Sequence, residues 1–312
     1  MSIVACVLAA IGQGTPIFHK YSFDDGAIIY GMSDNGKYAV AHGHSAENSL
    51  MLKGARLIEI DTDKVTDLAA QYSTNDYMSM GTADVTDDGS IVVGEFNHKP
   101  AYWSKSTGKW TILPCEEEEY FGNVRAVTPD GKYAVGCQSI DEDAFNALPA
   151  LWDLTTNTLI EVPGIPEYDM TGQNQDQNWF NQISADGKFI LGCISFSYYS
   201  QGFYYIYDVD NATYSVIGFK QDGKKFTPVV DNILFINTAT FSPNAQWVAG
   251  RAYMLKEVEG SNFPNQYETT YVLNVKSGEF TLYDAAEDID LVASAIDNNG
   301  YAFGATPSGN PI

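Results

Sequence analysis

A short pattern recurs along the chain and limits what it can fold into. An apolar residue is followed by Ser, Thr or Asp, then by Asp or Asn and Gly, then by an apolar strand. The copies are 32–41, 85–94, 127–136, 183–192, a degraded 241–250 and a shorter 296–304, and all but the first, which closes on Ala41, close on Gly. Their turn positions, 36, 89, 131, 187, 245 and 300, lie 53, 42, 56, 58 and 55 residues apart. Asp-Gly or Asn-Gly between apolar runs is a hairpin signal, and periods of this size belong to stacked repeat units.

Each full period holds a second hairpin. Its copies, 58–65, 103–110, 152–159, 207–214 and 273–280, align without a gap, and in most of them Gly, Asn or Asp stands where the turn needs φ > 0. Each period therefore has four strands, A to D. No segment shows sustained helical periodicity. A four-stranded antiparallel meander at this repeat length is a propeller blade, so the chain reads as an all-β β-propeller. Five complete blades are expected over roughly 28–70, 80–115, 122–163, 178–219 and 236–284, with a sixth holding only A and B. Burial should alternate along each B strand. Ala245, lacking the freedom of Gly, should mark a differently shaped turn. Tyr30, Ala83, Arg125, Asn181, Ala239 and Ser294 are column-equivalent in strand A and should face one way around the axis.

These strands, followed by Pro100-Ala-Tyr-Trp103 and Pro149-Ala-Leu-Trp152, resemble the extracellular propeller repeats named for a His-Ala-Phe motif. Trp152-Asp153 resembles, more distantly, a WD40 blade. The resemblance runs from about residue 28 to the end. No copy carries the literal His-Ala-Phe, and the fourth and fifth lack the Trp. It implies a secreted or surface-displayed bacterial protein and specifies a blade, not an activity.

The 312 residues carry a formal charge of −23, a field that repels phosphate backbones and excludes nucleic acid as a partner. The apolar run near the N-terminus is too short to span a bilayer. It reads as the remnant of a signal peptide over 1–12, with the propeller domain over 13–312. No positive residue stands ahead of the run, and the run continues past Cys6, which argues against lipidation there. Cys115, Cys137 and Cys193 show no metal-ligand spacing and read as free thiols. The chain stops after strand B of the sixth copy, so the natural product is expected to continue past Ile312, with 16–23 able to supply one further strand.

The A–B and C–D turns are short and uniform, whereas the D–A and B–C loops vary, as functional loops on a rigid scaffold do. The 164–179 loop carries Tyr168 and Trp179, the 195–202 loop Tyr198 and Tyr199, and the 257–267 loop Phe263 and Tyr267. Such aromatics among amides suit a carbohydrate or protein ligand. Arg125, the one cation of its column, would attract an anionic group or pair with Asp84 on the neighbouring blade. The repeated turn acids read as structural, and His42 and His44 lack a third ligand. No hydrolase, phosphate-loop or dinucleotide motif is present. The reading is a monomeric, non-catalytic binding or scaffold module with no cofactor and no metal. The alternative is a propeller glycosidase or lyase built on Asp84 with Asp169 and Asp176.

Overall fold

The computed structural model describes residues 3–9, 17–23, 26–44, 52–72, 79–118, 120–139, 147–163, 176–196, 201–222, 225–256, 265–283 and 292–305. Blade 1 consists of Ile28–Met32, Tyr38–His44, Leu52–Glu59 and Lys64–Asp67, hydrogen-bonded in that order. Blade 2 is Met80–Val85, Ile91–Phe96, Lys99–Ser104 and Lys109–Ile112. Blade 3 is Phe121–Val127, Tyr133–Ser139, Ala147–Asp153 and Thr158–Ile160. Blade 4 is Asp176–Ile183, Phe189–Phe196, Gln201–Asp208 and Thr213–Val216. Blade 5 is Ile233–Phe241, Trp247–Lys256, Asn265–Asn274 and Phe280–Tyr283. The sixth sheet has the two strands Val292–Ile296 and Ala302–Ala305. Antiparallel meanders repeated in this way are the architecture of a β-propeller.

The chain divides into two compact units, 1–144 with 150–161 and 145–149 with 162–312. In the first unit, Val40 and Leu57 of blade 1 pack against Met80, Val92 and Trp103 of blade 2. In the second, Leu191 and Ile206 of blade 4 pack against Ile236, Val248 and Tyr271 of blade 5. Blades bury their apolar residues against each other, so both faces of a B strand are covered. Strand Tyr133–Ser139 is buried at six consecutive positions, and the expected alternation is absent there.

Five of the six A–B turns are held by one side-chain network. Thr128 Oγ1 donates to Asp130 Oδ1 at 2.7 Å and accepts the N–H of Tyr133 at 3.0 Å, while Asp130 Oδ1 accepts the N–H of Lys132 at 3.0 Å. Ser33, Thr86, Ser184 and Ser242 repeat the first of these bonds in their own turns. The turn glycines have φ between 66° and 88°. Ala245 has φ 52° and keeps the same turn, contrary to expectation. Its Ser242–Asn244 network enforces the backbone, and its methyl is buried in the cluster that Phe189 packs on. The C–D turns place Asp63, Gly108, Asn157, Ala212 and Gly278 at φ between 51° and 71°.

Two hairpins were not foreseen. Phe219–Asp222 pairs with Lys225–Pro228 ahead of blade 5. The apolar run Ile3–Ala9 forms a strand against Ile17–Phe23, so the segment expected to extend the last blade has a different neighbour. Tyr21 and Phe23 are buried beside Ile58 and Ile60 of blade 1.

Candidate functional site

The A strands share a defect that builds the site. Each has at least one residue too many for its partner strand, a β-bulge that re-aims a side chain. The unpaired residue is Tyr30, Ala83, Arg125 and Asn181 in blades 1 to 4 and Ser294 in the sixth. Five of the six column residues are therefore the bulge itself. Blade 5 departs: Ala239 pairs with Gly250, and two residues, Leu234 and Asn237, are unpaired. The glycine that closes the sequence pattern faces this bulge. A Cβ on Gly94, Gly136 or Gly250 would overlap the carbonyl oxygens of Gly81, Asn123 or Thr238.

In the first unit, the bulges of blades 1 to 3 border one cavity of about 480 Å³. Tyr30, His42, Glu95, Asn123 and Arg125 line it, with Thr82 between them. Tyr30 stacks on His42 with ring centroids 3.7 Å apart and planes 6° from parallel. The Tyr30 hydroxyl lies 3.4 Å from His44 Nε2. His42 Nδ1 accepts the backbone N–H of Thr82 at 3.2 Å, which leaves the ring proton on Nε2. Burial lowers the His42 pKa to about 4, so the ring is neutral at physiological pH.

Glu95 is engaged by its own blade. It accepts the Ser79 hydroxyl at 2.5 Å and lies 3.8 Å from His98 Nδ1. Burial raises its pKa above the ordinary carboxylate value. Arg125 Nε donates to Asn123 Oδ1 at 3.3 Å. Burial also raises the Cys137 thiol pKa, against the nearby Arg125 charge.

Asp84 does not pair with Arg125. Its Oδ1 accepts the N–H of Val85 at 2.8 Å and its Oδ2 that of Val127, in blade 3, at 3.0 Å. Burial raises its pKa to about 7, opposed by these two bonds and assisted by Asp34 and Asp87. Among the described residues no group of three His, Cys, Asp or Glu suits a metal ion.

The remaining expected site residues lie elsewhere. Trp179 is half-buried in strand A of blade 4, and Tyr267 is exposed in strand C of blade 5. Tyr168, Tyr198, Tyr199 and Phe263 fall outside the described residues, as do Asp169 and the Asp176 side chain. The second unit has its own cavity of about 350 Å³, lined by Ile206, Tyr214, Val216, Leu273 and Phe280.

Sequence reasoning missed Glu95 and Asn123. A signal was available: the residue after the closing Gly or Ala of strand B is His42, Glu95, Cys137, Cys193 and Arg251 in turn. Two of these five line the cavity.

No protein-family model matches the chain, and comparison with curated proteins returns no match. Among solved structures, dipeptidyl peptidase 4 of Porphyromonas gingivalis is similar with a TM-score of 0.51 at 8% identity, over 91% of this chain and 43% of that one. The Dos1 propeller has a TM-score of 0.50 at 10% identity, over 88% of this chain and 65% of that one. TolB from Acinetobacter baumannii has a TM-score of 0.43 at 15% identity, over 92% of this chain and 57% of that one. The chain thus spans 43–65% of the length of these three proteins. The likeness to the Dos1 propeller supports the β-propeller fold.

Proposed function

We propose that this propeller is a non-catalytic binding module that works outside the cytoplasm and takes a carbohydrate ligand in the cavity of its first unit. The observation that carries this reading is the wall made by Tyr30 stacked on His42, with Asn123, Glu95 and Arg125 around the same space. An aromatic face packs on the C–H face of a sugar, and the amide, carboxyl and guanidinium groups match its hydroxyls. The exposed aromatic Tyr267 suits the same ligand class on the second unit. The apolar N-terminal run and the resemblance to His-Ala-Phe repeats support an extracytoplasmic place, and no helix among the described residues is long and apolar enough to cross a membrane.

The glycosidase or lyase alternative rests on Asp84, whose raised pKa suits a general acid. Both of its oxygens, however, hold backbone N–H groups, which favours a structural role. Titration calorimetry against a panel of oligosaccharides tests the binding reading. A ligand should bind without turnover, and Tyr30→Ala should weaken it about tenfold, the loss of one aromatic contact. Turnover of a polysaccharide, or binding indifferent to Tyr30, would sink the reading.

A further inference from the structure

Building on the carbohydrate-binding reading, we infer that the ligand is an N-acetylated sugar, whose acetamido group accepts the Nε2–H of His42 on its carbonyl oxygen and gives its own N–H to Glu95.

Both side chains are held at one end and open at the other. His42 is only 5% exposed, its Nδ1 accepts the N–H of Thr82, and Tyr30 stacks on its ring. The ring proton on Nε2 finds no acceptor among the described residues. Glu95 Oε1 accepts the hydroxyl of Ser79, whose oxygen in turn accepts the N–H of Leu52, and it faces His98. Oε2 has no donor among the described residues. The sealed side-chain polar atoms without a partner, among those residues, are Trp110 Nε1 and Arg251 Nε. His42 Nε2 and Glu95 Oε2 are therefore not sealed, and open onto the cavity that both residues line.

These two atoms present a donor and an acceptor in fixed positions. A carboxylate would satisfy His42 and be repelled by Glu95. An ammonium would satisfy Glu95 and turn a donor toward the N–H of His42. A secondary amide offers an acceptor and a donor in one plane, and carries no charge. Its methyl has an apolar wall in Val124 and in Leu52, which lies over Gly81. The face of Tyr30 remains for the sugar ring.

The test titrates the full chain, by calorimetry, with tetramers of glucose, N-acetylglucosamine and glucosamine that share one β-1,4 linkage. The N-acetylated tetramer should bind at least about tenfold more tightly than either of the others, the effect of one matched buried polar group. Glu95→Gln keeps the shape. The Ser79 proton holds the new carbonyl, so an NH2 replaces Oε2 and opposes the acetamide N–H, and the preference should vanish. His42→Phe keeps the stack with Tyr30 and removes the N–H, and should also erase it. Equal affinity for the N-acetylated and glucose tetramers, tighter binding of the glucosamine tetramer, or a preference that survives in either variant overturns the inference and leaves the carbohydrate reading standing. Binding of none of the three overturns the inference, and the wider oligosaccharide panel then decides the carbohydrate reading.

Discussion

Asp84 of blade 2 accepts the backbone N–H of Val127 in blade 3 at 3.0 Å. Gln182, at the same repeat position in blade 4, accepts the N–H of Phe241 in blade 5 at 2.7 Å. One side chain at this column thus closes a backbone donor on the following blade. A carboxylate and an amide do the same work there, which is the mark of a structural position rather than a reactive one. The difference between them is charge, and charge makes the Asp84 contact sensitive to pH.

Burial raises the Asp84 pKa to about 7, from an ordinary value of ~4 in the unfolded chain. Between those values the folded protein holds a proton that the unfolded chain has released. Stability therefore falls as pH rises from about 4 to about 7, and levels off above that. Asp34, raised in the same direction by burial and by Asp87, adds to the slope. Urea unfolding at a series of pH values should show this decline, and Asp84→Asn should flatten most of it. A stability that rises across the window would contradict the assignment.

Gly36 and Gly89 occupy the same turn position, with φ of 69° and 66°. Nothing lies within 4 Å of a Cβ built on Gly36, whereas one on Gly89 would meet the Tyr38 ring of blade 1 at 2.5 Å. Gly36→Ala should cost about 1 kcal/mol, the backbone penalty alone. Gly89→Ala should cost ~1–3 kcal/mol more, because the ring must move. The excess should vanish in a Tyr38→Ala background. Equal costs in the parent chain would show that the blade contact is absent.

Thr128 is buried, and its Oγ1 accepts two backbone N–H groups, those of Lys132 and Tyr133. Thr128→Val keeps the shape and strands the N–H of Tyr133, while that of Lys132 keeps Asp130 Oδ1, for an expected loss of about 1–3 kcal/mol. Thr128→Ser keeps the acceptor and should cost well under half of that. Thermal melts of the two variants check the pair, and similar losses would assign the effect to packing instead.

The blades were legible because their signals are local. Asp130-Gly131 and its Thr128 partner lie within four residues, and the network they make is complete inside one turn. The position of the bulge was legible as a column but not as a bulge, since Arg125 looks like any strand residue until its pairing with strand B is known. Blade 5 shows the limit: Thr240 and Ala239 align with Gln182 and Asn181, yet the extra residues fall at Leu234 and Asn237. The expected alternation of burial failed because it assumes a sheet with one wet face, and Ala134 and Val135, consecutive and so on opposite faces, are both fully buried. The missing Trp of the fourth copy was less of a loss than the sequence suggested. Trp152 Nε1 donates to the Pro114 carbonyl, and Tyr207 in its place donates to that of Pro163. The cavity was the least legible feature, because His42, Glu95 and Arg125 come from three blades and meet only once those blades pack.

The most direct test of the account is hydrogen exchange on the full chain with and without a saturating bound oligosaccharide. The account predicts slower exchange in peptides spanning 28–32, 80–85 and 121–127, the three bulged strands that border the cavity of the first unit. Exchange at 213–216 and 280–283, beside the second cavity, should not change. Protection confined to those two segments would place the ligand elsewhere and contradict the account.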